Sequence, residues 1–166
     1  MTTILFTGYE PFGEHETNPS ARLAHDIKSM SFESAEVVGR ELPVVFDEAL
    51  PLVVEAIERH DPDYVLSTGL MPGREVISVE CVGINVRDYD GVPARVSNTA
   101  GTHLCNNILY ATRHHVETND LDIGSGFVHL PFSHAQVARR EETDPSMSYD
   151  AMRRSVGAML EWLANG

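Results

Sequence analysis

The sequence predicts an α/β fold: a three-layer α/β/α sandwich around a mixed, largely parallel sheet, in a single domain. Three observations carry this. Short apolar runs rich in Val, Ile and Phe alternate along the chain with segments whose apolar residues recur at helical spacing. Some of those runs are apolar on both faces, as strands are when helices cover both sides of a sheet. The 166 residues suffice for one core, and the nine Pro and twelve Gly are dispersed rather than gathered into a linker. One domain over residues 1–166 is therefore expected, without repeats or low-complexity tracts.

In chain order, residues 4–7 form a β-rich run ending at Gly8, followed by the turn-forming Glu10-Pro11-Phe12-Gly13. Asn18 can cap a helix whose first position is Pro19, with Leu23, Ala24 and Ile27 at helical spacing. Residues 37–42 read as a strand stopped by Pro43. From Asp47 a helix carries Leu50, Val53, Val54 and Ile57 on one face until Asp61-Pro62. A strand over 64–69 runs into the Gly-rich turn Leu70-Met71-Pro72-Gly73-Arg74, and another is expected over 76–86. A short strand over 94–98 leads through Thr99-Ala100-Gly101-Thr102 to a helix over 105–116 that turns Ile108, Leu109 and Thr112 inward. Residues 126–130 form a strand stopped by Pro131. An amphipathic helix over 148–163, with Met152, Val156, Met159 and Leu163 inward, closes the chain.

A formal charge of −13 opposes binding to nucleic acid and to anionic lipid surfaces, which both need a basic face. Lys28 is the only lysine beside eleven arginines, against twenty-five carboxylates. That balance suits a cell with high internal salt, where ions screen self-repulsion, as well as an ordinary acidic protein. The N-terminal apolar run is too short for a signal peptide and lacks a basic flank, and no segment is long enough to span a bilayer. With only Cys81 and Cys105, a disulfide framework is not expected, and a reducing cytoplasm suits the free thiol.

Three residues stand out chemically. Cys105 follows a Gly-containing turn and opens a helix, where the positive end of the backbone dipole favours thiolate; the same position also fits a buried, inert thiol. His129 ends an apolar strand just before Pro131, so its ring can emerge at the carboxyl edge of a sheet, or simply pack there. Glu80 lies inside an apolar strand and needs a partner, either an imidazolium or an arginine such as Arg74 or Arg87. His114-His115 lacks a carboxylate or cysteine to complete metal-ligand spacing, and Cys81 faces away from Glu80. The glycines of 8–13 and 69–73 match no dinucleotide or phosphate-loop pattern.

Taken together the segments resemble the pyroglutamyl peptidase I (pyrrolidone carboxyl peptidase) family of cysteine peptidases. The resemblance runs in order through Thr7-Gly8-Tyr9-Glu10-Pro11-Phe12-Gly13, Asn18-Pro19, Leu42-Pro43-Val44, Gly69-Leu70-Met71-Pro72-Gly73-Arg74 and Ile77-Ser78-Val79-Glu80 with Ile84-Asn85. It continues through Ser97-Asn98-Thr99-Ala100-Gly101-Thr102 with Cys105-Asn106, then Gly126-Phe127-Val128-His129-Leu130-Pro131 and Pro145-Ser146-Met147-Ser148-Tyr149. The resemblance implies Cys105 as nucleophile, His129 as general acid and base, and Glu80 as the group orienting the histidine. It implies a pyroglutamyl ring held between Tyr9 and Phe12, Asn18 supporting that loop, and Leu70, Arg74, His103 and Leu104 on the substrate side. Backbone amides near Arg74 and at Cys105 would form an oxyanion hole. The implied substrates are N-terminally pyroglutamylated peptides, with no metal or organic cofactor, in a homotetramer.

Two departures accompany the resemblance. The family usually has several dozen residues between its Ile-Asn strand and its Ser-Asn-Thr-Ala-Gly turn, whereas here only residues 86–96 connect them. An aromatic commonly stands two residues before the nucleophile, where this chain has His103. A non-catalytic or differently specific relative that binds N-blocked peptides or a protein partner is therefore an alternative. A nucleoside phosphorylase-like enzyme on a similar sandwich, active without Cys105, is a third class.

Overall fold

The computed structural model describes residues 1–80, 94–97, 100–101, 103–141 and 143–166. Its main sheet contains β1 (Thr2–Tyr9), β2 (Ala35–Leu42), β3 (Tyr64–Leu70), β4 (Ile77–Glu80), β5 (Ala94–Ser97) and β6 (Gly124–Leu130). Their spatial order is β2-β1-β3-β6-β4-β5. β1 pairs in parallel with β2 and β3, β3 with β6, and β4 with β5, while β4 and β6 are antiparallel. The predicted mixed, largely parallel sheet is thus what forms. The reversal has a local cause: residues 71–76 between β3 and β4 are too few for a parallel crossover, which takes a dozen or more. The chain folds back, and β6 enters between the two.

Five helices accompany this sheet among the described residues: α1 (Pro19–Asp26), α2 (Phe46–His60), α3 (Leu104–Thr118), α4 (His134–Val137) and α5 (Tyr149–Asn165). Alternation along the strands sorts the core into two layers. Ile4, Phe6, Leu66, Val79 and Val128 face one way, against Leu23 and Ala24 of α1 and Met152, Val156 and Leu160 of α5. Leu5, Val65 and Phe127 face the other, against Val53 and Ile57 of α2 and Leu104 and Ile108 of α3. Val156 has no exposed surface, and its burial stabilises by ~1.5–3 kcal/mol, so Val156→Asp would undock α5.

Local signals set the helix ends. Asn18 accepts from the Ser20 N–H at 3.0 Å with Pro19 at the first helical position, as predicted. Asp61, at φ 43°, closes α2 in the left-handed conformation. The strand expected over 76–86 is seen as Ile77–Glu80; its remainder, with Cys81, Ile84 and Asn85, lies outside the described residues, as do Arg87, Asn98, Thr99 and Thr102. Beyond Pro131 the structure adds what the sequence reading passed over: the short strands β7 (Phe132–Ser133) and β8 (Ser146–Met147), with α4 after β7. Ser133 and Gln136 form a reciprocal capping box, and Ser-x-x-Gln was the signal for it.

Candidate active site

Because β1, β3 and β6 are parallel, their ends at Tyr9, Leu70 and Leu130 gather at one edge of the sheet. The chain leaves β1 toward β2 on one side and β3 toward β4 on the other. A crevice opens where such connections diverge, as at other switch points of α/β sheets. It is a cavity of about 560 Å³, lined by Tyr9, Phe12, Gly13, Val44, Leu70, Met71, Pro72, Ala100, Gly101, His103, Leu104, Cys105 and His129. Most of that lining is apolar.

Strand register brings the polar groups together. Gly69 of β3 is the partner of His129 in β6, so the two stand one strand spacing apart, roughly 4.8 Å. In the antiparallel pairing with β4, Ser78 lies opposite His129 and Glu80 opposite Phe127. Glu80 therefore reaches diagonally to the imidazole, and Nδ1 meets its Oε1 at 2.8 Å. Both side chains are buried, at 1% and 0% exposure. A carboxylate only accepts, so Nδ1 carries the hydrogen and Nε2 keeps its lone pair. The Phe127 ring meets the imidazole edge-on, with centroids 4.8 Å apart, and limits its rotation.

Cys105 is the second residue of α3, where backbone N–H groups lack intrahelical partners. The helix enters directly over Gly69: a Cβ built on that glycine would stand 2.9 Å from the Cys105 Sγ and 3.0 Å from Cζ of Phe127. Only glycine leaves room for the sulfur over the sheet beside His129. Burial pushes the Cys105 thiol up to about 12; its own backbone amide opposes this, and the charge of Glu80 adds to it. Burial likewise lowers His129 below its usual value, against the hydrogen bond and charge of Glu80. Burial thus opposes the helix-end preference for thiolate expected from sequence and favours the neutral forms of both thiol and imidazole.

Both partners weighed for Glu80 are present. Arg74 Nη2 lies 3.8 Å from the same Oε1 that faces His129. Among the described residues, Glu80 Oε2 is buried without a hydrogen-bond partner.

The loop after β1 is tied down on several sides. Asn18 Nδ2 donates to the Glu10 carbonyl at 3.1 Å, and the Val44 N–H donates to Glu10 Oε1 at 2.9 Å. The Phe12 ring meets His15 edge-on at 5.3 Å, and His15 meets Phe132 at the same separation. At the rim, His103 is exposed and stacks on Phe46 with centroids 6.4 Å apart. His114 stands apart from the crevice, exposed and stacked on Tyr110.

Comparison with known proteins identifies the family. The family model described as pyroglutamyl peptidase matches residues 2–90 and 89–165. The chain belongs to the pyroglutamyl peptidase family. It is 31% identical to the pyrrolidone-carboxylate peptidase of Pyrococcus furiosus over 199 aligned positions, covering 95% of this chain and 96% of that one. Among solved structures, pyroglutamyl peptidase I of Bacillus amyloliquefaciens superposes with a TM-score of 0.90 at 25% identity, covering 100% of this chain and 98% of that one. The pyrrolidone carboxyl peptidase of Thermococcus litoralis gives 0.85 at 26% identity, with 99% and 93% covered.

Of the residues that the pyroglutamyl peptidase resemblance singled out, Tyr9, Phe12, Leu70, His103, Leu104, Cys105 and His129 line the crevice. Glu80 sits behind His129. Asn18 and Arg74 are outside the lining, one holding the Glu10 carbonyl and the other facing Glu80. The sequence reading missed Gly69 as a site residue, though a glycine just before the strand end is a sign of close backbone approach. It also missed Val44 and Ala100 in the lining, apolar residues that carry no chemical signal in the sequence.

Proposed function

We propose that this chain is a cysteine peptidase that hydrolyses the bond after an N-terminal pyroglutamyl residue, with Cys105, His129 and Glu80 as its catalytic set. The observation that carries this is the buried Glu80–His129 pair, at 2.8 Å, opening onto the same apolar crevice as Cys105 in a chain of this family.

With thiol and imidazole both neutral at rest, the Sγ proton passes to His129 Nε2 as sulfur bonds to the pyroglutamyl carbonyl carbon. The carbonyl oxygen becomes an oxyanion, held by backbone amides at Cys105 and near Arg74; each such donor is worth roughly 10²–10³ in rate. The C–N bond then breaks, and His129 gives its proton to the departing amine. His129 next takes a proton from water as the water oxygen adds to the thioester carbon. The C–S bond breaks, free pyroglutamate leaves, and the proton returns to sulfur. Glu80 holds Nδ1–H throughout and stabilises the imidazolium.

Specificity follows from the lining. Tyr9, Phe12, Val44 and Leu70 present an apolar wall to a lactam ring that has no charge, whereas a free N-terminal ammonium would be desolvated there without a partner.

The reading extends to the whole molecule. Residues 1–166 act as one domain, and the family match that divides at residues 89–90 supports a shortened connection ahead of the nucleophile. The charge of −13 supports partners that are neither nucleic acid nor anionic membrane. Among the described residues no helix is long and apolar enough to cross a membrane. A reduced nucleophile supports a cytoplasmic location, and family resemblance supports a homo-oligomer, which sedimentation would test.

The test of the reaction is hydrolysis of a pyroglutamyl-aminocoumarin substrate by wild type and Cys105→Ala. Turnover lost in the variant is the expected result. A folded wild type without turnover would remove the peptidase reading and leave a binder of N-blocked peptides; activity that survives Cys105→Ala would remove the nucleophile.

A further inference from the structure

Tyr9 forms part of the crevice wall, and its hydroxyl has a partner of its own in the fold. It donates to the Leu104 carbonyl at 3.2 Å, and Leu104 is the residue immediately before Cys105. The ring is 3% exposed, so the bond is shielded from water.

Each end of Tyr9 is fixed to a different part of the fold. Its N–H donates to Ser20 Oγ at 3.1 Å, and that hydroxyl stands 2.8 Å from Asn18 Oδ1 at the cap of α1. One residue earlier, a Cβ on Gly8 would meet the Ser20 carbonyl oxygen at 2.0 Å, so β1 and α1 touch backbone to backbone. The Tyr9 main chain is therefore rigid, and its ring spans from β1 to the start of α3. At that start, His103 occupies the cap position without a side-chain cap hydrogen bond. Helix first turns that lack a capping group are less stable and fray. Among the described residues, the turn that carries the nucleophilic sulfur thus has a side-chain anchor from outside, in the Tyr9 hydroxyl. Burial keeps that phenol protonated and hence a donor.

We propose that the Tyr9 hydroxyl is a positioning group: by holding the Leu104 carbonyl it sets the first turn of α3, and with it the Cys105 sulfur and amide, against His129. This rests on the reading of Cys105 as nucleophile and adds to Tyr9 a role separate from walling the substrate ring.

Tyr9→Phe removes the hydroxyl and keeps the ring. A Cys81→Ser background leaves Cys105 as the one thiol in the chain, so iodoacetamide alkylation reports on it in the free enzyme. The expected result is a fall of about three- to tenfold in kcat, the range of one neutral hydrogen bond, with KM within about twofold. The alkylation rate should fall by a similar factor. Adding His103→Ser, which supplies a capping hydroxyl, should restore that rate, and an effect on folding alone would not be rescued this way. A raised KM with unchanged kcat would make the hydroxyl a substrate contact and overturn the proposal. So would a lowered Tm with kcat and alkylation unchanged. If the wild type shows no turnover, the peptidase reading fails, while the alkylation comparison still decides the role of Tyr9. Should Tyr9→Phe not fold, His103→Ser with Tyr9 intact in the Cys81→Ser background decides it: an anchored first turn predicts an alkylation rate within about twofold, and a large gain refutes the anchor.

Discussion

The close approach of α3 to β3 makes Gly69→Ala the sharpest probe of the site. The added methyl would stand 2.9 Å from Cys105 Sγ and 3.0 Å from Cζ of Phe127, where unstrained contacts between heavy atoms lie at roughly 3.5–4.0 Å. About 0.6–1 Å must be recovered. The sulfur turns on one torsion, whereas Phe127 is fully buried and carries the ring against which His129 rests. Either movement separates sulfur from imidazole. A misplacement of about 1 Å costs on the order of 10²-fold in rate, and overpacking of this kind costs ~1–3 kcal/mol of stability. For a domain of this size each kcal/mol lowers Tm by about 2–4 °C. The assay is kcat/KM on a pyroglutamyl-aminocoumarin substrate beside thermal denaturation. Gly124→Ala serves as a distant control, since its methyl would press on the Tyr64 ring at 2.4 Å, far from the crevice. It should lower Tm and leave kcat intact. If Gly69→Ala is folded and retains kcat/KM within about threefold of wild type, the placement of the sulfur over that glycine is refuted.

Glu80→Gln keeps the shape but removes the charge that fixes Nδ1–H and stabilises the imidazolium, so kcat should drop by about 10²–10⁴ with little change in KM; equal activity would remove Glu80 from the catalytic set. Stability should fall at both ends of the pH scale. The depressed His129 costs stability as pH drops below its unfolded value of 6.5, because the unfolded chain then binds the extra proton. The raised Cys105 costs stability as pH climbs from its unfolded value of 9.0 toward about 12, because only the unfolded chain ionises there. Denaturation of wild type against His129→Gln and Cys105→Ala checks each limb, and a limb unchanged by its variant disproves its assignment. Finally, if the charge of −13 reflects salt adaptation, Tm should rise toward molar KCl; a flat response marks an ordinary acidic protein.

Most elements were readable from local pattern. Pro19 after Asn18, the i, i+4, i+7 spacing of Met152, Val156 and Met159, and the run at 64–69 that ends in a Gly-rich turn each state a helix or strand without reference to anything distant. The small β7–β8 sheet escaped because two-residue strands carry no periodicity, whereas α4 had the Ser133-x-x-Gln136 signal and was passed over. At the site, the sequence distinguished Cys105, His129 and Glu80 but left each between a catalytic and a packed role, and family resemblance rather than spacing joined them.

Their meeting belongs to the tertiary structure. The short turn after β3 sends β4 back antiparallel, and that reversal alone lets Glu80 reach diagonally to His129. The register of β3 on β6 puts Gly69 beside His129, and the absent side chain admits the sulfur. The ionisation of Cys105 shows the same division: a helix N-terminus in the sequence argues for thiolate, yet burial under α3 pushes the thiol to about 12. Periodicity and capping are local and so are written in consecutive residues. Register, close approach and desolvation depend on segments tens of residues apart and exist only once the sheet has closed against its helices.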